Sequence, residues 1–335
     1  MPQSDIEKVS ALYGQWSGQS CQTCEPLAAN GSNRRYYRLG VDGRSVIAAV
    51  NPDLRENRAF CYYSRFFHEK GIHVPELYAV AEDETCYLQE DLGDTTLYQF
   101  VQSQKECGQP FGEPVVALYR DVLADLARIQ VVGRSADFRH SYPRQAFDRQ
   151  SIQWDLNYFK YYFLKTSTVA FDEQLLEDDF QLLTDKLLSA DCGYFLYRDF
   201  QARNVMLVGG RPYYIDYQGG RRGAAQYDVA SLLYSAKSEL PETLRTSLLE
   251  YYIDKLSELE DVDRGEFVDM YYTYVLVRIL QTLGAYGFRG MFERKDYFLQ
   301  SIPFAKANLR RLLSEHPQKE IVYLSDLLMK LTESK

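Results

Sequence analysis

The sequence contains no block of lysine or arginine and no run of 18 apolar residues. Its 335 residues carry a net charge of −9. A nucleic-acid partner is not expected, because binding to a phosphate backbone needs clustered positive charge. A membrane-spanning helix is not expected either, and the polar first residues lack the apolar core of a signal peptide. We therefore expect a soluble, cytoplasmic protein with neither kind of partner.

Cysteine is also scarce, with six residues scattered along the chain. A chain of this length with dispersed cysteines is not a disulfide-stabilised scaffold. Cys21 and Cys24 form a single CxxC, but no second pair follows them. A zinc or redox site is therefore not predicted there.

The hydrophobic pattern changes once along the chain and predicts two domains, residues 1–92 and 93–335. The first domain reads as five short strands with one helix inserted after the third, and an Asp-Gly pair predicts a tight hairpin turn. The second domain shows helical spacing almost throughout. The chain is thus expected to have an α+β fold, with a small antiparallel-sheet lobe and a larger, mainly helical lobe.

Two short segments in the second domain carry the strongest chemical signal. Residues 197–206 read YRDFQARNVM, and YYID follows at 213–216. In phosphoryl transfer, one carboxylate orients the attacking hydroxyl, while an Asn and a second Asp hold metal ions on the nucleotide phosphates. We therefore predict Asp199 as the catalytic residue and Asn204 and Asp216 as metal ligands. The apolar strands beside Asn204 and Asp216 should pair as a hairpin and place the two side chains opposite each other.

The order of elements and these motifs resemble the protein-kinase-like fold in its small-molecule branch, the aminoglycoside phosphotransferase and choline kinase superfamily. Three segments are most similar to bacterial cell-wall-recycling sugar kinases, which phosphorylate N-acetylmuramate and N-acetylglucosamine at the anomeric position. They are SNRRYYRL (32–39), DRQSIQWDLNYFKYYFL (148–164) and LQTLGAYGFRGMFERKDYFLQSIPFA (280–305). The resemblance implies a bilobal fold and ATP and Mg2+ as cofactors. It also implies a small-molecule acceptor, with an amino sugar as the expected one.

The resemblance also implies roles for residues outside the two motifs. Asp228, in QYDVASLLY, matches an aspartate that caps the backbone amides of the catalytic loop. Gln89, Glu90 and Asp91 fall where a hinge strand would meet the adenine of ATP through backbone groups.

The third strand, SVIAAV, departs from the family pattern because it has no lysine to hold the nucleotide phosphates. The sequence has no lysine at all between Lys8 and Lys70. Without a lysine partner, Glu56 at the start of the following helix is given little weight as a phosphate-site residue.

Arginines after the first turn are the predicted substitutes for this lysine. Arg34, Arg35 and Arg38 follow small residues, and guanidinium groups suit phosphate oxygens. Strand alternation predicts Arg34 and Arg38 on one face and Arg35 on the other. The preceding turn is also a candidate nucleotide contact, since its small residues let backbone amides approach phosphate; it consists of Gly31, Ser32 and Asn33.

Acceptor-binding residues are predicted by resemblance on the middle helix and beside the catalytic loop. Asp155 and Tyr158 share a helix face, and Arg203 directly precedes Asn204. Arg221 and Arg222 lie in a flexible Gly-rich stretch and could contact substrate or a product phosphate, although exposed loop charges are the commoner explanation.

Two other functions stay open from the sequence. The acceptor could be choline, ethanolamine or an aminoglycoside, because an acidic or aromatic pocket suits cations. The chain could instead be a nucleotide-binding pseudokinase or scaffold, which the absent strand lysine suggests and the retained Asp199, Asn204 and Asp216 oppose.

Overall fold

The computed structural model describes residues 4–28 and 34–333. The described chain forms two compact units, and neither is one continuous stretch of sequence. The first unit comprises residues up to Leu118, Ser135–Gln145 and Ala202–Gly220. The second unit comprises Tyr119–Arg134, Ala146–Gln201 and residues from Arg221 onward. A domain boundary at residues 92 and 93 stays a prediction.

The first unit is built on a five-stranded antiparallel sheet. Its strands are β1 (Thr23–Pro26), β2 (Arg35–Val41), β3 (Arg44–Val50), β4 (Leu77–Val80) and β5 (Cys86–Glu90). They lie in the order β1-β2-β3-β5-β4, and helix α2 (Leu54–Glu69) follows β3. The predicted five strands with one inserted helix are confirmed.

Local sequence explains how this sheet forms. Asp42 and Gly43 have φ angles of 50° and 75°, as the predicted Asp-Gly turn between β2 and β3 requires. Helix α1 (Asp5–Ser17) begins with a capping box and packs Val9 and Leu12 on the sheet, where both side chains are at most 5% exposed. This burial covers one face of the sheet.

Helix α2 begins at a capping aspartate and ends before a glycine. Asp53 accepts hydrogen bonds from the backbone amides of Arg55 and Glu56, which satisfies groups that the first helical turn leaves without partners. Gly71, with a φ of 71°, follows the end of the helix. The cap places Glu56 in the first turn of α2.

The first unit also contains helix α3 (Leu97–Glu106) and a hairpin of β7 (Val205–Val208) with β8 (Arg211–Tyr214). Gly209 and Gly210 form its turn with φ angles of 57° and 81°. The predicted pairing of these two strands is confirmed.

The second unit is mainly helical. Its elements, with α4 shared by both units, are α4 (Glu113–Val132), α5 (Arg149–Tyr162), α6 (Glu173–Leu188), β6 (Tyr194–Leu196), β9 (Arg221–Gly223), α7 (Gln226–Leu233), α8 (Glu242–Ser257), α9 (Arg264–Tyr286), α10 (Asp296–Leu299), α11 (Ile302–Glu315) and α12 (Val322–Glu333). None of the helices in the described part of the chain has the length and apolar character that a membrane crossing requires.

Strand β9 corrects one expectation from the sequence. Composition predicts a flexible loop at Arg221 and Arg222, but both residues lie in β9 and pair with Leu196 and Phe195 of β6. Arg221 is also buried, at 6% exposure. Glycines on both sides gave a loop-like composition, whereas the pairing partner lies on a distant strand that local sequence does not reveal.

Candidate active site

A short loop after β6 carries Asp199. The loop leaves β6 with Arg198 at a φ of 83°, an uncommon angle for a side chain of this size. The Asp199 side chain is 43% exposed, and its Oδ1 accepts a hydrogen bond from Gln201 Nε2 at 2.8 Å. Arg278 Nη2, from helix α9, lies 3.8 Å from the same oxygen. The carboxylate is thus held in place and still accessible, as a group that orients a hydroxyl must be.

The fully buried carboxylate of Asp228, on α7, holds the backbone of this loop. Its two oxygens accept hydrogen bonds from the amides of Tyr197 at 2.7 Å and Arg198 at 3.0 Å. Gln130 Nε2 donates to it at 3.3 Å. Burial raises the pKa of Asp228 to about 7, although these donors act in the opposite direction. This is the contact that the predicted supporting role requires.

Asp155, predicted to meet the acceptor, lies in a buried ion pair. Its oxygens accept hydrogen bonds from Arg198 Nη1 at 2.8 Å and Nη2 at 2.7 Å, and Arg198 also donates to the hydroxyl of Tyr227. Burial alone would lower the pKa of Arg198, but nearby Asp155 and Tyr227 raise it above its ordinary value. These contacts give Asp155 a role in bracing the loop, and its contact with an acceptor stays a prediction.

In the first unit, the β7–β8 hairpin brings Asn204 and Asp216 together. Ile215 N donates to the Asn204 carbonyl at 3.1 Å, and Asn204 Nδ2 lies 3.4 Å from Asp216 Oδ2. Asp216 has a φ of 72°, and Gln218 Nε2 donates to its Oδ1 at 2.7 Å. Amide and carboxylate oxygens on adjacent residues fit Mg2+, which takes few protein ligands when phosphates supply the others.

Arg34 connects this pair of residues to helix α2. Its Nη2 lies 2.6 Å from Asp216 Oδ1 and its Nε lies 3.7 Å from Glu56 Oε1, while its side chain is only 7% exposed. Burial alone would lower the pKa of Arg34, but Tyr36 and Asp216 raise it above its usual value. Asn51 Nδ2 donates to Glu56 at 2.7 Å and fixes its position. A permanent positive charge therefore lies beside the predicted metal ligand.

The other two predicted arginines have different partners. Arg35 is 57% exposed and pairs with Asp5 of α1. Arg38 donates to Asp91 at 2.6 Å and 3.1 Å, and also pairs with Asp94. Among the described arginines of this group, the contacts therefore favour Arg34 for the phosphate role. The candidate turn of Gly31, Ser32 and Asn33 lies outside the described residues.

The remaining predicted residues stay predictions. Gln89 and Glu90 end strand β5, where the chain leaves the sheet before Asp91. The Arg203 guanidinium lies over the ring of Tyr98, 4.2 Å from its centroid. Tyr158 packs against two other rings, Tyr162 and Phe288.

A small polar pocket in the second unit opens beside the catalytic loop. Its lining includes Gln201, Ser231, Ser235, Arg278 and Thr282. Gln201 and Arg278 both contact Asp199, so the pocket lies next to the predicted catalytic carboxylate. The described residues that line this pocket include no Asp and no Glu.

Sequence reasoning missed two parts of this arrangement. The first is Arg278. The only signal for it in the sequence is that segment 280–305, which carries part of the family resemblance, begins just after this residue. Glu56 was given little weight because it has no lysine partner, whereas in the structure it lies beside Arg34.

Comparisons with known proteins show the family of this chain. A family model described as phosphotransferase enzyme family matches residues 23–266. The N-acetylmuramate/N-acetylglucosamine kinase of Neisseria meningitidis serogroup B is 27% identical over 307 residues, which cover 88% of this chain and 87% of that protein. A protein of the same name from Pseudomonas aeruginosa is 24% identical, with coverage of 92% and 88%.

Solved structures show the same fold. Amicoumacin kinase hAmiN, in complex with AMP-PNP, Ca2+ and Ami, matches with a TM-score of 0.61 and 13% identity, covering 91% of this chain and 93% of that one. Choline kinase from Cryptosporidium parvum matches with a TM-score of 0.59 and 12% identity over the same shares. At these identities the likeness concerns the fold alone, and it confirms the predicted kinase-like α+β class.

Proposed function

Because the chain belongs to the phosphotransferase enzyme family, we propose that it transfers the γ-phosphoryl group of ATP to a hydroxyl of an amino sugar. The acceptor is of the N-acetylmuramate or N-acetylglucosamine type. Three curated relatives of that name, between 22% and 27% identical, support this acceptor, and each match spans most of both chains.

Asn204 and Asp216 would hold Mg2+, and Arg34 would neutralise the phosphate oxygens beside it. The contact between Arg34 and Asp216 is the observation that carries this proposal, because it places a permanent positive charge beside the carboxylate that would bind Mg2+. When bound, ATP with Mg2+ supplies the transferable phosphoryl group and an electrophilic centre of reduced negative charge. This arginine would replace the charge of the missing strand lysine, which speaks against a pseudokinase.

Asp199 would orient the acceptor hydroxyl and accept its proton. It lies five residues before Asn204 in the chain, which supports a role for both in one reaction. Arg198 and Asp228 hold the loop, so the carboxylate has little freedom to lose when the acceptor binds. Positioning and charge neutralisation would provide most of the rate enhancement.

The proposal is tested by incubating the purified chain with ATP, Mg2+ and one acceptor at a time. The panel contains N-acetylmuramate, N-acetylglucosamine, choline, ethanolamine and an aminoglycoside, and ADP release is measured with 31P NMR of the product. We expect transfer to a sugar hydroxyl that disappears when EDTA removes the metal. Transfer to an amino-alcohol alone, or nucleotide binding without turnover on any acceptor, would contradict the proposal.

A further inference from the structure

The polar pocket beside Asp199 contains one charged side chain among its described lining residues, Arg278 of helix α9. This side chain is 15% exposed and points toward the catalytic loop, with Nη2 3.8 Å from Asp199 Oδ1. Its described hydrogen-bond partners are all neutral side chains. Ser231 accepts from Nε at 3.0 Å, and Thr282 and Gln281 accept from Nη1.

The guanidinium group of Arg278 is less closely paired with a carboxylate than that of Arg198. Arg198 meets both oxygens of Asp155 at 2.7 Å and 2.8 Å, the paired geometry that satisfies a guanidinium group best. Arg278 has no such bidentate partner among the described residues, and its nearest carboxylate lies beyond hydrogen-bond distance. A guanidinium group held in place by neutral neighbours can accept a further anion at low cost in conformational entropy.

We propose that this pocket, whose volume of about 40 Å³ suits a carboxylate and not a whole sugar ring, receives a carboxylate of the acceptor and that Arg278 recognises it. This inference rests on the proposed function. The two acceptors proposed there differ in one group, because N-acetylmuramate carries a lactyl ether with a carboxylate that N-acetylglucosamine lacks. The chain therefore prefers the carboxylate-bearing sugar.

Local charge supports this direction of preference. The described pocket lining offers hydroxyl and amide groups for sugar hydroxyls and no acid for an ammonium group. Within the lining, the charge of Arg278 attracts a carboxylate, while Asp199 beside the pocket carries the opposite charge.

The simplest competing role for Arg278 is to position Asp199 without touching the acceptor. The two roles separate when kcat and KM are measured on both sugars. The variants are Arg278→Met, which removes the charge, and Arg278→Lys, which keeps the charge without the planar fork. Arg264→Met is the matched control, because Arg264 lies on the same helix and pairs with Asp254 near the surface.

We expect wild-type kcat/KM to be at least about tenfold higher for N-acetylmuramate than for N-acetylglucosamine. Arg278→Met should lower kcat/KM for N-acetylmuramate about 30-fold or more, mainly through KM, and for N-acetylglucosamine less than about fivefold. Arg278→Lys should fall between wild type and Arg278→Met, and the control should match wild type. The primary amide of N-acetylmuramate should be insensitive to Arg278→Met, since it has no negative charge.

Equal losses on both sugars would overturn the inference and assign Arg278 to positioning Asp199. No loss on either sugar, or a wild type without preference, would overturn it too. If wild type phosphorylates neither sugar, the proposed function itself has failed. Thermal unfolding of each variant identifies a folding defect. If Arg278→Met fails to fold, kcat/KM for N-acetylmuramate is compared with that for its primary amide, on wild type and on Arg278→Lys. The inference then requires that Arg278→Lys lowers kcat/KM for the free acid more than for the amide.

Discussion

Arg34 donates a hydrogen bond from Nη2 to Asp216 Oδ1 at 2.6 Å, and its side chain is almost fully buried. It reaches this position from the residue just before strand β2, whereas the lysine of the kinase pattern would stand on β3. Glu56 supports the same guanidinium group from helix α2. In the proposed function, the chain would supply the phosphate-site charge from the residue that precedes the neighbouring strand β2.

Arg34→Met is expected to raise KM for ATP at least about tenfold and to lower kcat/KM by about 10²–10³, because phosphate charge loses its fixed counter-charge. Arg34→Lys should recover part of the loss, since it restores the charge without the fork. Steady-state kinetics with varied ATP measure both. Arg58→Met, which removes an exposed arginine of α2 paired with Glu84, is the control. An ATP KM for Arg34→Met within about twofold of wild type would contradict this role.

Glu56→Gln should weaken ATP binding through Arg34, because the neutral amide no longer attracts the guanidinium group. We expect KM for ATP to rise about threefold to tenfold. In an Arg34→Met background the same change should have little further effect, since coupled residues are not additive. The double-mutant cycle measures this coupling, and additive effects in the cycle would show that Glu56 acts independently.

Asp199→Asn should lower kcat by about 10²–10⁴, the usual contribution of a positioned general base. Its affinity for ATP, measured by calorimetry, should stay within about threefold of wild type, because Asp199 is proposed to contact the acceptor and not the nucleotide. Undiminished turnover in this variant would remove Asp199 from the mechanism.

The raised pKa of Asp228 predicts a pH dependence of stability. Burial raises this pKa from 3.8 to about 7, so the folded chain binds more protons than the unfolded chain between these pH values. The contribution of Asp228 to the free energy of unfolding is therefore fully present below about pH 4 and is lost as pH rises through about 7.

Asp228→Asn does not titrate and serves as the reference for this effect. The free energy of unfolding of wild type minus that of Asp228→Asn should fall with rising pH, by up to about 1.4 kcal/mol per pH unit. Urea unfolding at several pH values between about 5 and 8 measures it. A difference that is constant or grows with pH would contradict the prediction.

Close approach of α9 to α5 depends on Gly284. A methyl group there would lie 2.8 Å from Phe159 N and 2.9 Å from the carbonyl carbon of Tyr158, both backbone atoms. Gly284→Ala should therefore lower the free energy of unfolding by about 1–3 kcal/mol through overpacking. Gly265→Ala, at the exposed start of α9, should be neutral or slightly stabilising by about 0.5–1 kcal/mol. Equal stability of the two variants by urea unfolding would contradict this view of the interface.

Local rules were enough for the five-stranded sheet and its inserted helix. The Asp-Gly turn, the alternating strands and the capped helix α2 each depend on neighbouring residues, so the pattern predicted them. Arg278 could not be assigned in this way, because its contact with Asp199 depends on how α9 packs and no local pattern encodes that packing.

The sequence by itself determined the element order, the kinase-like class and the three acidic or amide side chains expected to act in phosphoryl transfer. Only the tertiary structure decided which arginine lies beside Asp216 and which cation lies beside Asp199. Strand and helix periodicities specify the face on which a side chain lies. They do not specify its partner, because that partner comes from a distant element whose position is set by burial and packing of the whole unit.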